Sequence, residues 1–236
     1  MMPPTPNTNG SVRSGDDAPL LRVAQMNLLQ PNDEHAATLE AALATDADVL
    51  SFQEVSPAWA DALADCLAAR YPYSCVVPGT NCYGIALFSR IRFEDAHVFH
   101  LSGTPAIDAT LRTASGTVRV LCVHATSPGD YSNFRERNEQ LALLAPLIAI
   151  SDLPTVLIGD LNTVSWDHAF RKLCACAGLK ERSCDVTATW PSFFGFACIP
   201  IDHVLTSDEL HVSALSTFAI PGSDHRGVVA QLVRAG

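Results

Sequence analysis

Six short segments set a polar, chemically competent residue at the edge of an apolar run. Asn27 closes VAQMN, Gln53 and Glu54 close DVLSFQE, His124 closes VLCVH, and Asp160 and Asn162 close VLIGDLN. Asp202 opens IDHVL, and Asp224 and His225 sit in GSDHRG just before the last apolar run. Glu54, Asp160, Asp202 and Asp224 are hard oxygen donors suited to Mg²⁺ or Mn²⁺. Asn27 and Asn162 ligate or hydrogen-bond without adding charge. His124 and His225 can donate to a phosphate oxygen or carry a proton. No thiolate is among these residues, so a soft-metal site is not expected. Four carboxylates gathered without a cation would repel one another and raise their own pKa values, and a divalent ion relieves that repulsion. The chemistry this inventory serves is metal-assisted attack of water on a phosphate ester.

Singly, an Asp or Asn at the end of a strand is explained by the turn that follows it. Six such sites in order point to a rim where strand ends meet. Asp160 and Asn162 are two residues apart, so an extended strand through both would point them the same way. Asp224 and His225 are adjacent, so on a turn they serve different neighbours. His124 by itself also reads as a satisfied core histidine.

The elements that must position these residues follow from periodicity. Strands are expected at 21–29, 48–54, 155–162, 201–206, 212–219 and 227–233. Hairpins are expected over 76–89, around PGTN, and over 110–124, turning at Ser115-Gly116. Helices are expected at 33–44, at 57–70 with Ser56 as N-cap and Pro57 in the first turn, at 131–150, and at 166–177 ending on Gly178. Hairpins and βα units in one chain imply two sheets with helices outside. Residues 1–19, rich in Pro, Asn, Ser, Gly and Asp, read as a disordered arm ahead of one domain over 20–236.

Composition narrows the classes. The 236 residues are 48% hydrophobic and 17% charged, which fits a globular chain with a sizeable core. No apolar run approaches the roughly 20 residues of a membrane span. The formal net charge of −10 argues against a broad basic surface for wrapping duplex nucleic acid. It also argues against docking on anionic lipid. It leaves room for a local cleft made positive by bound metal. The eight cysteines show no CxxC and no zinc-type spacing. Cys122 reads as a core thiol, and Cys75 and Cys82 flank a turn where an oxidising compartment would allow a disulfide. No targeting segment is evident, so the cytoplasm is the default compartment and a monomer the default state. A membrane anchor or signal preceding the chain would move it outside the cytoplasm.

The ordered set QMN, FQE, VH, IGDLN, IDHVL and GSDHRG resembles the endonuclease/exonuclease/phosphatase superfamily, to which deoxyribonuclease I belongs. The resemblance runs from about Leu21 to Leu232. It implies a four-layer α/β sandwich, two mixed β-sheets face to face with helices outside, and a site at the top edge. Carried over residue by residue, it implies Glu54 as principal metal ligand with Asn27, and Asp224 as a second metal contact. Asp160 would orient or deprotonate the attacking water, and Asn162 would hold the phosphate or that water. His225 would contact phosphoryl oxygens with Asp202 fixing its ring, and His124 would lie near the phosphate or leaving group. FRERNEQL, TWPSF and IPIDHVL resemble a bacterial branch in which many members carry membrane segments before the catalytic domain. The substrate then ranges from nucleic acid to a lipid-linked or small-molecule phosphate. Arg135 or Arg137 could reach a substrate phosphate, against the plainer reading of a solvated helix face. Trp190 and Phe193 could flank a base or an apolar tail, against plain loop packing. The leading expectation is a metal-dependent phosphoesterase; the alternatives are a non-catalytic phosphate-binding module or a lipid-phosphate or pyrophosphate phosphatase at a membrane surface.

Overall fold

The computed structural model describes residues 19–181, 188–193 and 198–235. The expected N-terminal arm lies outside the described residues, apart from Pro19. In chain order the elements are β1 (Leu21–Asn27), α1 (His35–Ala44), β2 (Val49–Gln53), α2 (Pro57–Leu67), β3 (Tyr73–Val77), β4 (Ile85–Ser89), β5 (Phe93–Leu101) and β6 (Thr104–Thr113). There follow β7 (Gly116–His124), α3 (Tyr131–Ala149), β8 (Thr155–Asp160), α4 (His168–Ala177), β9 (Leu179–Glu181), β10 (Asp202–Ser207), β11 (Leu210–Ala219) and β12 (Arg226–Arg234).

The strands form two sheets of six, ordered β11-β12-β1-β2-β4-β3 and β5-β6-β7-β8-β10-β9. Both are mixed: β1 and β2 pair in parallel, as do β7 and β8, and the remaining neighbours are antiparallel. The two-residue strand period decides which side chains enter which layer. Val23, Val49, Val120, Cys122, Val156, Ile158 and Val204 meet between the sheets. Met26, Leu50, Phe52 and Phe88 turn outward against Trp59, Leu63 and Leu67 of α2. Leu121, Val123, Leu157 and Leu205 turn outward against Leu141 and Leu144 of α3 and Phe170 and Leu173 of α4. Helix, sheet, sheet, helix is the four-layer α/β sandwich expected from the resemblance.

The helix ends follow the sequence signals. Ser56 caps α2 by accepting from the Trp59 N–H at 3.2 Å, with Pro57 at the first position. Asp130 and Asp167 cap α3 and α4 in the same way. Gly178 ends α4 in the left-handed region at φ 64°.

Three expectations need correction. The strand β5 was not expected, because a bulge between Phe93 and Asp95 breaks the alternation of an edge strand exposed on both faces. The three-residue β9 is too short to carry a pattern. The β6–β7 turn lies at Ala114-Ser115, one residue earlier than expected, since Thr113 pairs with Gly116. Cys75 and Cys82 carry free thiols. Cys122 is buried between the sheets, and burial pushes its thiol up to about 12.

Candidate active site

The strand period that sends Val23, Val49, Val120, Ile158 and Val204 between the sheets sends Gln25, Asn27, Ser51, Gln53, His124, Asp160 and Asp202 there too. Apolar side chains give way to polar ones at one end of the inter-sheet layer. Register sharpens this. Asp160 pairs with Asp202 on one side and His124 on the other, and in the facing sheet Asn27 pairs with Gln53. Asp224 and His225 arrive from the turn before β12.

Asp202 is buried, and each of its carboxylate oxygens has a partner. His225 Nδ1 lies 2.9 Å from Oδ2 and Gln25 donates to Oδ1 at 2.7 Å. Burial works against its ionisation, but the His225 charge and hydrogen bond hold Asp202 below the ordinary carboxylate range. Burial also pulls His225 down, yet the Asp202 carboxylate outweighs it and raises the imidazole to about 10. Asp160 goes the other way: burial, then the Asp202 charge, raise its carboxyl. Its Oδ2 lies 3.7 Å from His124 Nε2 and 3.8 Å from His225 Nε2. His124 is lowered to about 4 by burial and then by the His225 charge. These contacts favour the protonated form of His225, the neutral form of His124 and the ionised form of Asp202, and make Asp160 the readier proton acceptor of the two carboxylates.

Asn27 links Asp160 to the rim. Its Nδ2 donates to Asp160 Oδ2 at 3.1 Å and to Glu54 Oε1 at 3.2 Å. Its oxygen accepts from the Leu29 N–H, so Asn27 presents its NH₂ to the carboxylates. Glu54, half-buried, also accepts from the Gln30 N–H at 2.8 Å. Asp224 stands on the pocket wall and accepts from Trp190 Nε1 at 2.8 Å.

Glu54 and Asn162 both adopt left-handed backbone, at φ 61° and 49°, a conformation non-glycine residues hold only where surroundings enforce it. Asn162 is not on the strand. β8 ends at Asp160, and the Asn162 N–H turns back onto Asp160 Oδ1 at 2.8 Å while its Nδ2 donates to the Ala125 carbonyl. The turn replaces the expected same-face strand pair. Gly159 precedes it because a Cβ there would stand 1.9 Å from the Val123 carbonyl oxygen.

These groups open onto a pocket of about 450 Å³ lined by Glu54, His124, Asp160, Asn162, Asp224 and His225, with Trp190, Ile199, Ile201 and Pro128 as an apolar wall and Cys82 at its edge. Among the described residues, neither Arg135 nor Arg137 lines it. Arg135 is exposed. Arg137 is 2% exposed and faces inward: it donates to the Asn162 carbonyl at 2.9 Å and reaches Asp167 at 3.5 Å. The solvated-face reading fails for Arg137, and its guanidinium props the site loop from behind. One turn on, buried Gln140 accepts from the Thr126 N–H and donates to Thr126 Oγ1, both at 2.8 Å. These two α3 side chains brace the loops after β8 and β7. Gln140 and Gln25 were not singled out from the sequence, and Gln53 was noted there as closing DVLSFQE without a role. A polar residue at a position with apolar periodicity was the available signal.

The donor chemistry suits a hard divalent cation. Among the described residues, the ligand atoms of Asp160, Asp202 and His225 lie within 4.8 Å of one another, all buried. Asp202 is engaged by His225 and Gln25 and does not line the pocket, whereas Glu54 and Asp160 line it, sharing the Asn27 amide and each accepting one backbone N–H, from Gln30 and Asn162.

The family model described as endonuclease/exonuclease/phosphatase matches residues 7–225. The chain belongs to that family. Endonuclease/exonuclease/phosphatase proteins are hydrolases of phosphoesters. Solved structures agree on the fold. One is an endonuclease/exonuclease/phosphatase from Beutenbergia cavernae, with TM-score 0.78 and 21% identity over 92% of this chain and 72% of that one. Another is D. rerio TDP2 complexed with a single-strand DNA product, with TM-score 0.73 and 16% identity over 90% and 98%. A third is sphingomyelinase C from Streptomyces griseocarneus, with TM-score 0.67 and 19% identity over 90% and 99%. No curated protein matches the chain. Among the described residues, no helix is long and apolar enough to cross a membrane.

Proposed function

We propose that this chain is a divalent-metal-dependent phosphoesterase that hydrolyses a phosphodiester or phosphomonoester with an activated water. The observation that carries the reading is the juxtaposition, at one pocket, of buried Asp160 with His225, whose Nε2 stands 3.8 Å from Asp160 Oδ2 while its Nδ1 stays 2.9 Å from Asp202. Such a pair divides the work: a base for water and a fixed positive donor for the phosphoryl oxygens, whose charge grows in the transition state.

Each residue takes a role from its contacts. Asp160 accepts hydrogen bonds from Asn27 and the Asn162 N–H, which orient its carboxylate toward the pocket. It holds the attacking water and takes its proton. His225 donates from Nε2 to a phosphoryl oxygen while Nδ1 stays on Asp202. His124, neutral and beside Asp160, donates to the phosphate or leaving-group oxygen. Glu54 and Asp160 would hold a Mg²⁺ or Mn²⁺ ion, with Asp224 as a further oxygen donor. Such an ion would supply Lewis-acid stabilisation of the phosphoryl charge. Asn27 keeps the two carboxylates in place through its amide.

The substrate class follows from the pocket walls. The lining combines the charged Glu54, Asp160, Asp224 and His225 with Trp190, Ile199, Ile201 and Pro128. That suits a phosphate ester carrying an aromatic or apolar group, such as a nucleotide or a lipid-linked phosphate. The chain would act as a monomer. The test is hydrolysis of bis-p-nitrophenyl phosphate and p-nitrophenyl phosphate with Mg²⁺, Mn²⁺ or EDTA. Turnover of either ester that EDTA abolishes supports the reading, and the preferred ester separates diesterase from monoesterase. Metal-independent turnover, or neither turnover nor metal binding, contradicts it.

A further inference from the structure

The centre of β1 holds a residue that the packing there does not call for. Gln25 shares the inter-sheet face with Val23 and is wholly buried. An interior amide costs free energy unless its groups are paired, and an aliphatic side chain would fill the space without that cost. Both amide protons of Gln25 are used. One goes to Gln53 Oε1 in the same sheet and one to Asp202 Oδ1 in the opposite sheet, each at 2.7 Å. Gln53 is fixed in turn, its Nε2 donating to Ser51 Oγ at 2.8 Å, and Ser51 Oγ lies 2.8 Å from Cys122 Sγ. A reversed Gln25 amide would set its oxygen against two acceptors, so its orientation is determined. Its own Oε1 has no hydrogen-bond partner among the described residues. The position thus keeps part of its desolvation cost in exchange for one contact across the sandwich.

We propose that Gln25 is a positioning residue that acts through Asp202 on His225. The inference rests on the phosphoesterase reading. With Gln25 on Oδ1 and His225 on Oδ2, the Asp202 carboxylate cannot turn without breaking a hydrogen bond. Its plane then sets the His225 ring, whose Nε2 faces Asp160 Oδ2 at 3.8 Å. Gln25 itself does not line the pocket. Partners that orient site groups in this way are worth about 10- to 100-fold in activity or metal affinity.

Two variants test this on the full chain. Gln25→Met keeps length and volume without a donor; Gln25→Glu keeps the shape but replaces donor by acceptor. With bis-p-nitrophenyl phosphate and Mg²⁺, each lowers kcat by about 10-fold with KM within about 2-fold. In an Asp202→Asn background, adding Gln25→Met costs nothing further, because the path it acts through is already broken. A second readout needs no turnover. The Nδ1–H proton of His225, identified in the NMR spectrum by its loss in His225→Gln, shifts in both Gln25 variants. Equal kcat losses in the two backgrounds, or an unmoved His225 resonance in either folded variant, overturn the proposal. A wild type that hydrolyses neither ester and binds no Mg²⁺ overturns the phosphoesterase reading instead, while the resonance still decides the role of Gln25.

Discussion

Asp160 and Asp202 are register partners on adjacent antiparallel strands, and they lie on opposite sides of the ordinary carboxylate pKa. His225 explains the difference. Its Nδ1 is 2.9 Å from Asp202, whereas its Nε2 stands 3.8 Å from Asp160. The nearer carboxylate keeps its charge to balance the imidazolium. The farther one is left buried beside a negative neighbour and so attracts a proton or a metal.

A divalent cation should therefore stabilise the fold by relieving Asp160. At a free Mg²⁺ concentration near 100 times its Kd, the gain is about 2.7 kcal/mol. For a domain of this size that is a rise in Tm of roughly 5–10 °C. Differential scanning fluorimetry across a Mg²⁺ series measures it. The rise should vanish in a Glu54→Ala/Asp160→Asn double variant; a rise that persists there places the ion elsewhere.

Stability should also depend on pH with a sign set by the histidines. His124 is lowered from 6.5 to about 4, so its contribution is present above 6.5 and is lost as pH falls towards 4. His225 is raised from 6.5 to about 10, so its contribution is present below 6.5 and is lost as pH rises through 10. Asp160, raised, adds to the alkaline-side loss from a lower starting pH. Thermal melts without metal should show that His124→Gln loses less Tm than wild type between pH 6.5 and 4. They should show that His225→Gln loses less between pH 7 and 10. Parallel curves for wild type and variants would contradict both assignments.

Arg137 should matter to turnover without touching substrate. Arg137→Met removes the support under the strained Asn162 and leaves its carbonyl without this donor. The expected result is a fall in kcat of about 10-fold and a stability loss of about 1–3 kcal/mol, with KM little changed. Arg137→Met with unchanged kcat and a raised KM would instead assign the guanidinium to substrate binding.

Much of the fold was legible because burial in a four-layer sandwich imposes two periods at once. VLIGD and VLCVH read as strands because each is buried on both faces. Asn27, Asp160 and Asp202 stood out because they end or open those runs. The turn at Asn162 was not legible, since a residue two places after Asp160 reads as the same strand face until the chain leaves the sheet. Arg137 was read through helix spacing, which gives a face but not the loop end that the face meets. Gln25 was hidden by the stronger signal of Asn27 beside it. The gap between sheets, which makes Gln25 and Asp202 neighbours 177 residues apart in sequence, is a tertiary fact.

The most direct test of the account is Mg²⁺-dependent hydrolysis of bis-p-nitrophenyl phosphate and p-nitrophenyl phosphate by wild type and Asp160→Asn, measured beside their melting temperatures. Asp160→Asn removes the buried charge without changing the shape. The expected result is a variant that still unfolds cooperatively in the absence of metal, together with a loss of kcat of about 1,000-fold or more. An Asp160→Asn variant that melts like wild type and still turns over the ester at a comparable rate would contradict the assignment of this pocket as the active site.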